Sequence, residues 1–155
     1  MATLTNMQIP ALEVWGGNYL SWVLDAKMHL QAMSLEGTIV EGNEASLWEK
    51  SKAMVFLRRH IHKSLKAQYL TVEDPLILWS NLKERFDYQR DISLPNGKHE
   101  WLNLRFQDYA RVFDYDSLLF RVSLELQLCG VEVTDKDMLE KTLITFHASN
   151  IVLQQ

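Results

Sequence analysis

Histidine, cysteine and carboxylate side chains are the groups of this sequence that could do chemistry, but their spacing does not group them. His60 and His62 lie two residues apart, which puts them on opposite sides of a helix and not in one coordination sphere. Cys129 is the only cysteine, so a four-cysteine zinc site and an intramolecular disulfide are both excluded. The remaining histidines are scattered at His29, His99 and His147. We therefore expect no metal site.

Motifs of known catalytic sites are absent as well. The sequence has no phosphate-binding loop, nucleophile elbow, dinucleotide fingerprint or zinc-protease motif. Aspartic protease chemistry needs an Asp-Thr/Ser-Gly loop, whereas Asp116 and Ser117 are followed by Leu118. These patterns predict a protein without catalytic residues, cofactor or small-molecule substrate. They favour a structural or binding protein over an enzyme.

The amino-acid composition indicates the class of protein and its cellular compartment. The chain has 155 residues, of which 47% are hydrophobic and 23% charged, values typical of a globular protein. A single cysteine suits a reducing compartment. The N-terminal residues lack a basic start and a long apolar core, and no stretch approaches the ~18 apolar residues of a membrane span. We expect a cytoplasmic protein with no membrane partner.

Apolar side chains recur at helical spacing through most of the chain, which predicts an all-α fold with minor strand content. With only three prolines and six glycines, the sequence lacks the turn signals of an all-β protein. About six or seven helices are expected: over 18–34, from the N-cap Asn43, from Asp74-Pro75, over 101–109, from Asp114 or Asp116 to Gly130, from the capping box of Thr134 and Asp137, and from Ser149.

The stretch from Arg90 to Lys98 is polar and contains Pro95 and Gly97, which predicts a loop between two small lobes, 1–90 and 91–155. Charge changes at the same place. Residues 1–90 carry ten basic and ten acidic side chains, whereas residues 91–155 carry six and ten. Most of the five tryptophans are expected to anchor the cores of these lobes.

Several motifs occur in a fixed order along the chain. They are Gly17-Asn18-Tyr19 with Trp22; Tyr69-Leu70-Thr71-Val72 with Asp74-Pro75-Leu76 and Trp79; Glu100-Trp101 with Leu104-Arg105-Phe106-Gln107-Asp108; Leu128-Cys129-Gly130; and the run from Thr134 through Met138-Leu139-Glu140-Lys141-Thr142 to Thr145-Phe146-His147-Ala148-Ser149-Asn150. Together they resemble the capsid region of the Gag polyprotein of plant copia-type LTR retrotransposons, or a domesticated descendant of it. The resemblance covers about Leu12 to Gln155.

The resemblance implies a helical capsid-like protein that self-associates into oligomers or virus-like particles and packages retrotransposon RNA. It continues to Gln155, so we expect the C-terminal lobe to be incomplete, with Ile151 and Leu153 beginning a further helix. Part of its apolar surface would then be exposed for self-association. The candidate contact residues are Leu20, Leu24 and Met28 on the first helix, and Val122, Leu126, Leu143 and Phe146 in the C-terminal lobe.

One segment has a distinct charge pattern. Residues 50–72 contain six cations and no acidic residue, and four of these cations are predicted to share a helix face: Lys52, Arg59, Lys63 and Lys66. Such a face could bind RNA phosphates weakly and without sequence preference, or it could be a solvated surface. The zinc knuckle with which such Gag proteins bind RNA is not in this sequence. Two alternatives to self-association therefore stay open: an RNA-binding module, and a host adaptor that binds peptides in a groove between helices.

Overall fold

The computed structural model of the chain describes the backbone of residues 9–153 and the side chains of residues 9–146. Within these residues the protein is all-α, as the sequence predicts, and its only β pairing is a single bridge between Leu12 and Ile61. The seven helices are α1 (Tyr19–Ala32), α2 (Leu47–Arg59), α3 (Lys63–Gln68), α4 (Pro75–Phe86), α5 (Gln89–Asn103), α6 (Val112–Leu128) and α7 (Asp135–Leu153). Two short 3₁₀ turns lie at Glu36–Ile39 and Phe106–Asp108.

The chain divides into two compact units, Met1–Gln89 and Arg90–Gln155. Unit 1 contains α1 to α4, and unit 2 contains α6, α7 and nearly all of α5. The division lies beside the position at which charge and composition change in the sequence. Each unit has its own cluster of buried apolar side chains.

The core of unit 1 is built around Trp22 of α1. Its indole Nε1 donates a hydrogen bond of 2.7 Å to the His60 carbonyl, and its ring lies 5.7 Å from that of Trp79. The same carbonyl accepts a bond from the Leu12 N–H at 2.9 Å, so two distant segments are held where α2 ends. Ile61 and Leu65 are buried in this core although α2 ends at Arg59.

Three of the predicted helix boundaries are confirmed. The Asp74 carboxylate accepts the Leu76 N–H at 2.9 Å, with Pro75 at the first helical position of α4. Thr134 and Asp137 form the expected reciprocal capping box at the start of α7. Gly130, at a φ of 87°, ends α6 in a Schellman arrangement, in which the Val131 N–H reaches the Leu126 carbonyl at 3.0 Å.

Two predicted N-caps are wrong. α2 is capped by Ser46 in a capping box with Glu49, while the amide of Asn43 bonds the Val40 carbonyl at 2.8 Å in the preceding loop. α6 begins at Val112, before both candidate aspartates. Asp114 instead lies in the first turn, where its charge suits the helix dipole and it pairs with Arg111 at 2.9 Å.

The loop predicted over residues 90–98 is also wrong, because α5 runs through it with Pro95 inside the helix. Pro95 is exposed. Gly97 is buried, and a Cβ placed there would lie 3.0 Å from Leu126 Cδ2. Here glycine allows α5 to approach α6 closely, and it does not mark a turn.

α5 ends at Asn103, so the prediction that Trp101 and Tyr109 belong to one helix is wrong. The Asn103 side chain donates to the His99 carbonyl at 3.0 Å, and the Phe106 N–H bonds Thr145 Oγ1 at 3.0 Å. This second bond is tertiary and has no local sequence signal. At the other end of the unit, α7 continues to Leu153, so the separate element expected from Ser149 does not occur.

Candidate functional site

The side chains that could take part in catalysis or metal binding have structural roles. His60 Nδ1 donates to the Phe56 carbonyl at 2.8 Å, and His62 Nδ1 accepts the Ser64 N–H at 3.1 Å to cap α3. Cys129 is buried, and burial raises the pKa of its thiol. A raised pKa keeps this thiol protonated and unreactive. Among the residues that the structure describes, no group of histidine, cysteine and carboxylate side chains could hold a metal ion.

The first predicted contact surface lies on α1. Leu24 and Met28 are one turn apart and are 57% and 65% exposed. Leu20, predicted with them, is half-buried and packs against the core of unit 1. The exposed α1 patch is therefore the pair Leu24 and Met28, whereas Leu20 lies between this patch and the core.

The second predicted surface is corrected by the structure. Val122 and Leu126 are 0% and 4% exposed, so the prediction that they are exposed is wrong. Val122 lies on the buried face of α6, and Leu126 packs against Gly97. Leu143 and Phe146 are 44% and 40% exposed, and the Phe146 ring meets that of Phe106 edge-on at 5.7 Å. The side chains of Ile151 and Leu153 lie outside the described residues.

One exposed apolar helix surface was not predicted from the sequence. It lies on α6, opposite the buried Tyr115 and Val122, and we call it the α6 outer face. Its large members are 75%, 61% and 53% exposed, and they are Phe113, Phe120 and Leu124. Ser117 completes the line, with its hydroxyl donating to the Phe113 carbonyl at 2.8 Å. Intervals of four, three and four residues are those of the a and d positions of a coiled coil.

A sequence signal for this face was present. Phe113, Phe120 and Leu124 form a second apolar stripe, displaced around α6 from the stripe that builds the core. The sequence of α1 has a comparable second stripe in Leu20, Leu24 and Met28.

The four predicted cations are exposed in unit 1, but the prediction that they share one helix face is wrong, because α2 ends at Arg59 and α3 begins at Lys63. Lys52 and Arg59 lie seven residues apart on one side of α2, while Lys63 and Lys66 are exposed on α3. Lys52 also stands 4.8 Å above the ring of the exposed Trp48. Within the described part of the chain, none of these four cations has a carboxylate within ion-pair distance.

The other two cations of residues 50–72 have local partners. Lys50 lies 4.0 Å from Asp74. Arg58 donates to the Leu70 and Val72 carbonyls, both at 2.9 Å, and so fastens the segment before α4 to α2. Four of the six cations are thus left for a ligand. Trp48 and Trp15 are both exposed, so the expectation that most tryptophans anchor the core holds fully for Trp22 alone among the described residues.

No family model, curated protein or solved structure matches this chain. Among the described residues, no helix has both the length and the apolar character needed to cross a membrane.

Proposed function

We propose that this chain is a structural protein that self-associates in the cytoplasm, as the capsid region of a copia-type Gag polyprotein does, into oligomers or particles that package RNA. The α6 outer face is the observation that carries the proposal. Exposed apolar stripes of this kind mark contact surfaces, because leaving them in water is unfavourable. The sequence resemblance supports the same role, which is structural and not enzymatic.

The spacing of the α6 outer face is self-complementary. Read in either direction along α6, the intervals are four, three and four residues. In an antiparallel pair of α6 helices from two copies, Phe113 therefore meets Leu124 of the second copy. Ser117 meets Phe120, so a small side chain leaves room for a large one. A two-fold contact of this kind uses the same surface on both subunits.

The area of this face predicts a weak contact. Phe113 and Phe120 are 75% and 61% exposed. With aromatic side chains of about 200 Å² each, they offer roughly 250–300 Å² per subunit. A standard interface buries about 800 Å² per partner, so flanking residues must add to it and the isolated dimer should be weak.

A lattice needs at least two contact surfaces on each subunit. The α1 patch of Leu24 and Met28 supplies a second exposed apolar surface, in the other unit. One surface alone would give closed dimers, whereas two that make different contacts can propagate an assembly. Electron microscopy of the concentrated protein would show whether particles form.

Sedimentation velocity over a concentration series tests the contact on α6. We expect the wild-type chain to shift from monomer towards dimer as its concentration rises. Phe120→Asp places a carboxylate in the middle of the stripe and should weaken the dimer at least about tenfold, or about 1.4 kcal/mol. Ile77→Asp, on an exposed apolar side chain of α4, is the control and should associate like the wild type. A wild-type chain that stays monomeric, or Phe120→Asp protein that still dimerises normally, would refute the proposal.

A further inference from the structure

Trp48 is a large aromatic side chain that unit 1 leaves in water. It lies in the first turn of α2 and is 68% exposed. The Lys52 ammonium, one turn further along the helix, lies 4.8 Å from the centre of its ring. A cation at this distance is attracted to the face of an indole. Since most of the ring surface is still exposed, a planar partner has room to stack on it.

Trp48 and Lys52 belong to a line of exposed side chains along α2. Val55 and Arg59 continue the line at intervals of three and four residues, which keeps all four on one side of the helix. The opposite side of α2 is buried in the core of unit 1. We call the exposed line the α2 outer face. At 1.5 Å per residue it is about 16 Å long, and it combines an aromatic ring with two cations.

The cations at and beside this face have no acidic partner. Lys52 and Arg59 of α2, and Lys63 and Lys66 of α3, lack a carboxylate within ion-pair distance among the residues that the structure describes. No acidic residue lies on the α2 outer face itself. The whole segment 44–74, which holds α2, α3 and their flanks, carries six cations and four carboxylates. It therefore has a net charge of +2 in a protein whose net charge is −4.

The carboxylates of this segment do not neutralise the face. They are Glu44, Glu49, Glu73 and Asp74. Glu49 Oε1 accepts the Ser46 hydroxyl at 3.0 Å in the capping box of α2, and Asp74 lies 4.0 Å from Lys50. Two carboxylates then stand against four cations. α1, which packs beside α2, exposes one acid and one base and so adds no net charge. The charge of this surface favours a polyanion.

We propose that the α2 outer face binds single-stranded RNA, with Trp48 stacking on an unpaired base while Lys52 and Arg59 contact phosphates. The inference rests on the RNA-packaging part of the proposed function and adds a specificity to it. An aromatic side chain can stack on a base that is free of pairing, whereas a duplex keeps its bases stacked inside. Cations alone favour a duplex, because its charge density is higher. Preference for a single strand is thus the property that Trp48 supplies.

The ratio of two affinities isolates the stacking contact. Fluorescence anisotropy measures binding of a labelled RNA oligonucleotide of mixed sequence, alone and annealed to its complement. We expect Trp48→Ala to lower the ratio of single-strand to duplex affinity at least about fivefold, the smallest effect of losing one stacked base. Trp48→Phe keeps an aromatic ring and should retain most of the ratio. Trp15→Ala is the matched control, since Trp15 is 72% exposed in unit 1 but lies outside α2.

Salt dependence separates the ring from the cations. Trp48→Ala removes no charge, so the slope of log K against log salt should equal that of the wild type. Lys52→Gln removes one phosphate contact and should reduce the slope by about 0.7. A changed slope in Trp48→Ala would mean that the ring only positions Lys52, and it would overturn the stacking role.

Several other results would overturn the proposal. They are no RNA binding by the wild type, an unchanged affinity ratio in Trp48→Ala, an equal fall in Trp15→Ala, and polyglutamate that competes as well as unlabelled RNA. Loss of the dimer in Trp48→Ala without loss of RNA binding would assign the face to a second copy of the chain. Failure here is distinguishable from failure of the proposed function. A chain that dimerises normally but shows no stacking refutes only this site.

Discussion

Gly16 shows how a single residue can fix the entry to α1. Its φ is +71°, in the left-handed region where a side chain is strained, and a Cβ there would overlap the Phe86 ring, with Cγ and Cε1 at 2.7 Å. Phe86 is buried and packs 5.6 Å from the Tyr19 ring, so it has little room to move. Two separate penalties, backbone strain and overpacking, therefore apply at this position.

Gly42 allows the two penalties to be separated. Its φ is +72°, but nothing lies within 4 Å of a Cβ added to it. We expect Gly42→Ala to lower the free energy of unfolding by about 1 kcal/mol, from strain alone. Gly16→Ala should lower it by about 2–4 kcal/mol, because overpacking adds about 1–3 kcal/mol to the strain. Urea denaturation of both variants measures the difference, and equal losses would show that Phe86 yields easily.

In α7, the residue types limit what hydropathy periodicity can predict about the buried face. Four large apolar side chains of α7 recur at helical spacing, Met138, Leu139, Leu143 and Phe146, yet the last three are at least 40% exposed. The face that meets the rest of unit 2 is completed by threonines. Thr142 Oγ1 lies 3.0 Å from the Tyr115 hydroxyl, and Thr145 is buried at 8% exposure. Hydropathy does not select threonine for a core, so this face could not be predicted from periodicity.

At the scale of elements, local signals predicted the starts of α4 and α7 correctly and those of α2 and α6 wrongly. Asp74-Pro75 and the Thr134 box act within one turn, so they could be recognised without a tertiary structure. The course of α5 could not, because it depends on the fit of Gly97 against Leu126. A proline and a glycine two residues apart usually indicate a turn, and here the packing of α5 on α6 outweighs that local preference.

Pro95 should lower the stability of α5. Proline has no N–H, so the Asp91 carbonyl lacks the hydrogen bond it would otherwise accept within the helix. Because Pro95 is exposed, Pro95→Ala removes no buried contact. We expect it to raise the free energy of unfolding by about 1–3 kcal/mol, after allowing for the greater entropy of the unfolded chain.

Asn96→Ala is the matched control, because Asn96 is also exposed and its N–H is retained. Its effect should stay within about 0.5 kcal/mol, as for most surface substitutions. Thermal unfolding followed by circular dichroism distinguishes the two variants. A loss of stability in Pro95→Ala would mean that the proline holds a bend on which the packing of Gly97 depends.

At the scale of the whole molecule, charge is distributed unevenly. The formal net charge is −4, and all of this excess lies in residues 91–155. Any attraction to RNA would therefore need a local group of cations, and the exposed cations of α2 and α3 are the candidates. The sequence predicted these four cations correctly as exposed side chains, because a run of 23 residues without an acid is visible in one dimension. Helical spacing also separated them from Lys50 and Arg58, whose partners lie elsewhere in unit 1.

We predict weak, sequence-tolerant RNA binding with a defined salt dependence. Single-stranded nucleic acid releases about 0.7 counterion per phosphate contact, so four cations give a slope of about −3 for log K against log salt. A labelled oligouridine titrated at several salt concentrations measures this slope. Binding should be lost when four residues are changed to glutamate: Lys52, Arg59, Lys63 and Lys66.

The control must change the net charge equally without touching this surface. Four exposed lysines elsewhere serve when they are changed to glutamate together: Lys27, Lys83, Lys98 and Lys136. If RNA is held by the local surface, the control protein keeps most of its affinity, because the Debye length of about 10 Å at 0.1 M salt screens distant charges. Equal losses in both proteins would show that only the overall charge matters. Tight binding that survives high salt would contradict an electrostatic contact altogether.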